Sequence, residues 1–319
     1  MRVWFLLVCL MGLPAGVFAI DFSSFVGEKL VVSNYPESFR GPGTFFRLGI
    51  KNTPLRLLFH HKSLSRIPLN LVLTLKNSGD KSVDVGMIRS VFGPSTDEIY
   101  VGFRVVEDFL QKIEGRKIEH VLLLPGQTKQ VIVQEVREGQ ILSGMVKLHK
   151  VSGPLEVSWG ALDPTYDAFS GLDTQQGYTY GLFNDSVRAL TVTCDGRLAV
   201  QEIPIGEAPF LVDDHHHIEL KGNYGVLYHI SILFQNPHQT PQIVRLYFSP
   251  VGGPCRAVVL QQSGEILTTG MAQIGPELMG EFVVEPHSEE KVALVTMPES
   301  GAFYPANLVL QMTPDESGG

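Results

Sequence analysis

A chain of 319 residues with 44% hydrophobic and 18% charged side chains can bury about two ordinary cores, which excludes a disordered or low-complexity protein. Its 33 acidic and 25 basic residues leave a formal charge of −8. No Lys/Arg cluster is present, which excludes a nucleic-acid partner, because phosphate-backbone binding depends on concentrated cations that release counterions.

In chain order, Arg2 precedes an apolar run from Val3 to Leu13, and the small residues Val17 and Ala19 stand three and one before a cleavage point. This pattern predicts a secretory signal peptide over 1–19 and a secreted or periplasmic mature chain. Lipidation at Cys9 is disfavoured, since Val8 stands where a small Gly, Ala or Ser is required. The run is shorter than the ~20 apolar residues that cross a bilayer, and no later stretch qualifies, so no integral membrane segment is expected in the mature chain.

From 20 to 162, short runs of Val, Ile, Leu and Phe are broken by Gly, Pro, Asn and Asp about every ten residues, the texture of sandwich strands and turns. Leu69 to Lys76 reads as a strand buried on both faces, closed by a turn at Asn77-Ser78-Gly79-Asp80. Tyr100 to Gly115 departs from this texture. Val101, Val105, Phe109 and Ile113 fall four apart and Gly115 supplies a stop, which predicts one amphipathic helix packed on a sheet rather than on a membrane. The stretch 163–177 is polar and small, with Pro164, Gly171 and Gly177 and no apolar period, and is read as a linker. A second module follows over 178–313, with a frayed tail at 314–319.

Self-comparison supports duplication. Leu75-Lys76-Asn77 recurs as Phe234-Gln235-Asn236, and Val121-Leu122-Leu123-Leu124-Pro125-Gly126 as Phe282-Val283-Val284-Glu285-Pro286-His287. Pro125 lies 48 residues after Asn77 and Pro286 lies 50 after Asn236. The expected fold class is all-β, two tandem sandwiches with the helix inserted in the first.

This grammar of a strand, an Asn turn and a Pro-Gly turn, carried by Lys76-Asn77-Ser78-Gly79-Asp80 and Leu124-Pro125-Gly126, resembles bacterial surface immunoglobulin-like modules of the cell-adhesion-related type. The resemblance covers about a third of each module and implies fold, not function. The helix departs from it, as do His238 and His287, which stand where the first copy has Gly79 and Gly126.

Asp213-Asp214-His215-His216-His217-Ile218-Glu219-Leu220 is the most conspicuous polar run. Read as a strand, it places Asp213, His215, His217 and Glu219 on one face, a donor set that zinc or copper accepts, with Ile218 and Leu220 inward. A third anchor is missing from the local sequence, and a solvated polar face is the plainer reading. His60-His61 follows Leu57-Leu58-Phe59, which predicts one imidazole toward the core and one toward water. Asn223, Tyr224 and Tyr228 form a candidate ligand loop for a sugar or peptide, weighed against packing at a module joint. Once the leader is removed only Cys194 and Cys255 remain, to form a disulfide in an oxidising compartment or to lie apart as buried thiols.

No Gly-x-Ser-x-Gly elbow, phosphate loop or His-Glu-x-x-His is present. The expectation is a non-catalytic binding, adhesion or scaffold protein without a cofactor, its partner a protein or carbohydrate at the cell surface or in the periplasm. The alternatives are a periplasmic chaperone-like strand-pairing partner, which a long apolar unpaired edge would favour, and a metal-binding protein.

Overall fold

The computed structural model describes residues 25, 27–35, 37–149, 151–166, 169, 179–196 and 200–314. The expected leader, most of the linker and the last five residues of the tail lie outside them. The fold is all-β with one helix.

In the first half, β1 (Lys29–Tyr35), β2 (Ser38–Phe39), β3 (Gly43–Lys51), β4 (Leu55–Ser63), β5 (Leu69–Asn77) and β6 (Val83–Ser95) precede helix α1 (Glu98–Glu114). Then come β7 (Glu119–Leu123), β8 (Thr128–Val136), β9 (Ile141–His149) and β10 (Pro154–Leu162). The rest of the chain supplies β11 (Thr179–Phe183), β12 (Val187–Cys194), β13 (Val200–Ile205), β14 (Leu227–Asn236) and β15 (Gln242–Pro250). It ends with β16 (Val258–Gln261), β17 (Ile266–Thr268), β18 (Glu277–Val284), β19 (Ser288–Thr296) and β20 (Ala306–Pro314).

Four sheets result. Sheet I runs β11-β1-β4-β9-β6-β7 with β2 beside β4, and sheet II runs β3-β10-β5-β8. Sheets III and IV run β12-β14-β19-β16-β17 and β13-β20-β15-β18. Sheets I and II enclose a core of Leu57, Phe59, Leu71, Leu73, Val146 and Trp159; sheets III and IV enclose Ile230, Ile232, Phe234, Leu246, Leu294 and Leu310. Facing sheets that bury one side each are the sandwich solution.

The two halves repeat one strand order. β1 runs parallel to β4 as β12 does to β14, and the pairs that the halves share beyond these are antiparallel, the short β2 of the first half lying parallel beside β4. The pairs β5–β8 and β15–β18 each carry a register shift, at Leu73/Thr74 and Leu246/Tyr247. This order corrects the sequence self-comparison by one strand: Asn77 ends β5, whereas Asn236 ends β14, the counterpart of β4.

The chemistry of the two asparagines is nevertheless the same. Asn77 Nδ2 donates to Lys81 O and Leu123 O while its Oδ1 accepts from Gly79 N. Asn236 Nδ2 donates to Thr240 O and Val284 O while its Oδ1 accepts from His238 N. Each fixes a corner where the chain crosses between sheets. A sandwich has several such corners, so turn chemistry recurs at positions that are not equivalent in topology.

Helix α1 starts at Asp97, whose carboxylate accepts from Tyr100 N, and buries Val101, Val105, Val106, Phe109, Leu110 and Ile113. It packs on β6 and β9 of sheet I and on β16 of sheet III, so the helix is part of the joint between the halves. No helix among the described residues is long and apolar enough to cross a membrane.

Candidate functional site

The joint holds most of the buried charged side chains among the described residues, Glu28, Arg56, Lys147 and Glu299. On the outer face of sheet I, Glu28 Oε1 lies 2.6 Å from Lys147 Nζ and Glu28 Oε2 lies 3.3 Å from Arg56 Nη2, all three side chains being buried. Ser186, just before β12, closes the group: its hydroxyl donates to Glu28 and its carbonyl accepts from Arg56 at 3.0 Å. Ions removed from water persist when paired and hydrogen-bonded, and here each partner supplies both.

A second contact is made by the loop between β19 and β20. Gly102 of α1 packs so tightly there that a Cβ would fall 1.8 Å from Ser300 O, and a Cβ on Gly301 would fall 2.5 Å from Glu98 O and 2.9 Å from His60 Cε1. Behind them Glu299, fully buried, accepts from Tyr304 Oη at 2.5 Å and from Arg256 N at 3.0 Å. Burial pushes its carboxyl up to about 7, against the opposing pull of these hydrogen bonds and the Arg256 charge. Tyr224 Oη donates to Ala302 O, and its ring meets that of Tyr304 edge-on at 6.1 Å.

His60 and His61 are both buried, correcting the expectation that one would face water. Alternation along β4 does send them to opposite faces, but both faces of sheet I are covered. His61 accompanies Phe45 and Trp159 in the first core and its Nε2 lies 3.0 Å from Ser33 Oγ, whereas His60 faces the second half. Burial, then the neighbouring Lys62 charge, lowers the His60 pKa to about 4; burial lowers that of His61 to about 3.

The histidine run is a turn rather than a strand. Val212 and Glu219 form an isolated bridge across 213–218, His217 has φ +55°, and Ile218, expected inward, is exposed. Asp213 is the cause. Its buried carboxylate accepts from Leu182 N at 2.6 Å and from the backbone N–H groups of His215 and His216. Burial raises its pKa, but these hydrogen bonds and the His216 ring outweigh it and hold the group below the usual carboxylate range. Asp213, His215, His217 and Glu219 therefore do not share a strand face. Among the described residues, no three His, Cys, Asp or Glu side chains converge as a metal site.

Cys194 and Cys255 are separate buried thiols rather than a disulfide. Burial, followed by the charges of Glu299 and Glu277, pushes Cys255 up to about 12. The candidate ligand loop is also consumed internally. Buried Asn223 donates to Glu207 O and Tyr228 Oη and accepts from Leu211 N, and Tyr228 Oη accepts from Gly206 N.

Tyr228 does reach a site that the sequence reading missed. A groove of about 240 Å³ opens between the edges of sheets III and IV. Its walls are Leu190 and Val192 of β12 and Ile203 and Pro204 of β13; Tyr228 lines the interior, and Glu202 and Glu207 stand exposed on the lips. Arg188 donates to Pro209 O and lies 5.9 Å over the Tyr228 ring, so its guanidinium is held by partners at the groove. The sequence signal was Leu190 to Cys194, where apolar and polar residues alternate.

No family model matches this chain, and no curated protein sequence does. Among solved structures, Lac15 from a marine microbial metagenome is 8% identical with a TM-score of 0.16, covering 91% of this chain and 63% of its own. Fet3p, a multicopper oxidase that functions in iron import, is 8% identical at 0.13, covering 84% and 60%. McoA from Aquifex aeolicus, also a multicopper oxidase, is 11% identical at 0.14, covering 93% and 68%. This chain thus spans less than two thirds of the length of the first two. Scores this low carry no argument about function.

Proposed function

We propose that this is a secreted, non-catalytic binding protein whose contact surface is the groove between β12 and β13. The observation that carries the reading is an apolar cleft lying against an open sheet edge, while the buried ionic groups are taken up by the joint between the halves. Secretion rests on the signal-peptide pattern at Arg2, Val3 to Leu13 and Ala19. The repeated strand order supports reading the halves as tandem immunoglobulin-like modules, docked through α1 and the 298–305 loop. Partners in this reading are proteins or carbohydrates outside the cytoplasm.

The test is an unbiased selection of peptides, folded domains and glycans on the immobilised chain, repeated on two variants checked for native circular dichroism. Leu190→Glu in the groove should weaken the recovered ligands at least tenfold, about 1.4 kcal/mol. Val133→Glu, on an exposed position of β8, should leave them unchanged. Ligands indifferent to Leu190→Glu would refute the reading.

A further inference from the structure

We infer that the groove takes an extended polypeptide strand, added antiparallel to β12, with apolar side chains two residues apart and basic residues beside them. The inference rests on the groove being the contact surface and names what occupies it.

Its warrant is the molecule's own first half. There β11 pairs antiparallel with β1, Leu182 opposite Val31 and Gly181 opposite Val32. Leu182 is buried in the first core and the Tyr180 ring lies 5.3 Å from Phe46 of β3. The strand thus closes the seam between β1 and β3. By the repeated strand order β12 and β13 are the counterparts of β1 and β3, and the groove lies between them. Among the described residues, β14 is the only strand paired with β12. Among the described residues, what β11 fills in one half is open in the other.

The remaining edges of sheets III and IV are poorer templates. β13 carries Pro204, which has no N–H to give, β17 is three residues long, and β18 has a register shift flanked by Glu277 and Glu281. β12 is eight residues long with Arg188 its one charge, and that charge is engaged internally. Every second residue of such an edge directs both N–H and C=O away from its neighbour, ready for a further strand. Leu190 and Val192 are half-buried on the inner side, so apolar side chains of an added strand would meet them and Ile203. Glu202 and Glu207 on the lips favour Lys or Arg in the segment, in a chain whose own charge is −8.

The probe is a synthetic peptide with the β11 sequence Thr-Tyr-Gly-Leu-Phe between flanking lysines, titrated onto the full chain. The expected result has three parts: slowed hydrogen exchange at alternate amides of β12, loss of binding when alternate peptide nitrogens are methylated but not the ones between, and at least tenfold weaker binding with glutamates for lysines. Binding that Leu190→Glu abolishes, without amide protection or a two-residue methylation pattern, would overturn strand addition and leave the groove as contact surface. So would groove-dependent glycans or folded domains with no binding of the peptide. Selected ligands indifferent to Leu190→Glu would remove both.

Discussion

Replacing Glu299 with Gln tests whether the joint stores pH dependence. Folding raises this carboxyl from its ordinary 4.5 to about 7, so the native state holds a proton that the unfolded chain releases. The stabilisation is complete below pH 4.5 and is lost as pH rises to 7, a difference of about 3 kcal/mol. His60 acts in the opposite sense. Its pKa falls from 6.5 to about 4 on folding, so its contribution is complete above pH 6.5 and is lost on acidification toward 4. His61, depressed to about 3, acts in the same sense as His60, so between about 4.5 and 6.5 Glu299 offsets one of these two histidines, and the difference between variant and parent rather than the parent's own profile isolates the carboxyl. Gln retains an oxygen for Tyr304 or Arg256 but cannot titrate. The variant's stability relative to the parent should therefore improve by about 3 kcal/mol from pH 4.5 to 7, whatever the fixed cost of its amide. Urea unfolding of both proteins at four pH values across this range measures the difference. A pH-independent offset would refute the argument.

Asp213→Ala should cost about 2 kcal/mol, because it strips acceptors from Leu182 N and the turn beneath the histidines, whereas His217→Ala at an exposed site should stay within about 0.5 kcal/mol. Equal losses in denaturant unfolding would contradict this geometry. Gly102→Ala should destabilise by about 3 kcal/mol or more, since a methyl group cannot share space with Ser300 O; a thermal midpoint equal to the parent's would show that the helix and loop are not in contact. A thiol reagent should find Cys194 and Cys255 unreactive in the native protein and stoichiometric after unfolding, with reductant leaving the thermal midpoint unchanged. A reductant-dependent midpoint would restore the disulfide.

The doubly buried strand at Leu69 to Lys76 and the helix over Val101 to Ile113 were legible in the sequence because each is set by local periodicity. The Asn77 and Asn236 corners were legible as chemistry but misleading as alignment, since the same side-chain amide fits any cross-sheet corner. The histidine run failed because alternation presumes extended backbone. Asp213, a carboxylate two and three residues before N–H groups it can accept, was the overlooked turn signal. Glu299, Gly102 and His60 are far apart in sequence and meet only when the halves dock. The groove was hidden for a related reason: it lies where, among the described residues, the second half has no counterpart of β11.

The crossing of β11 into sheet I also sets an order of events during synthesis. A nascent chain exposed as far as Leu162 holds every strand of the first sandwich except the one that covers β1. Until Phe183 emerges, β1 lacks the strand that covers its outer edge, and the Ser186 carbonyl that receives Arg56 follows close behind. Completion of the first half thus waits on residues beyond it. Maturation of the two halves is linked by chain order as well as by contact.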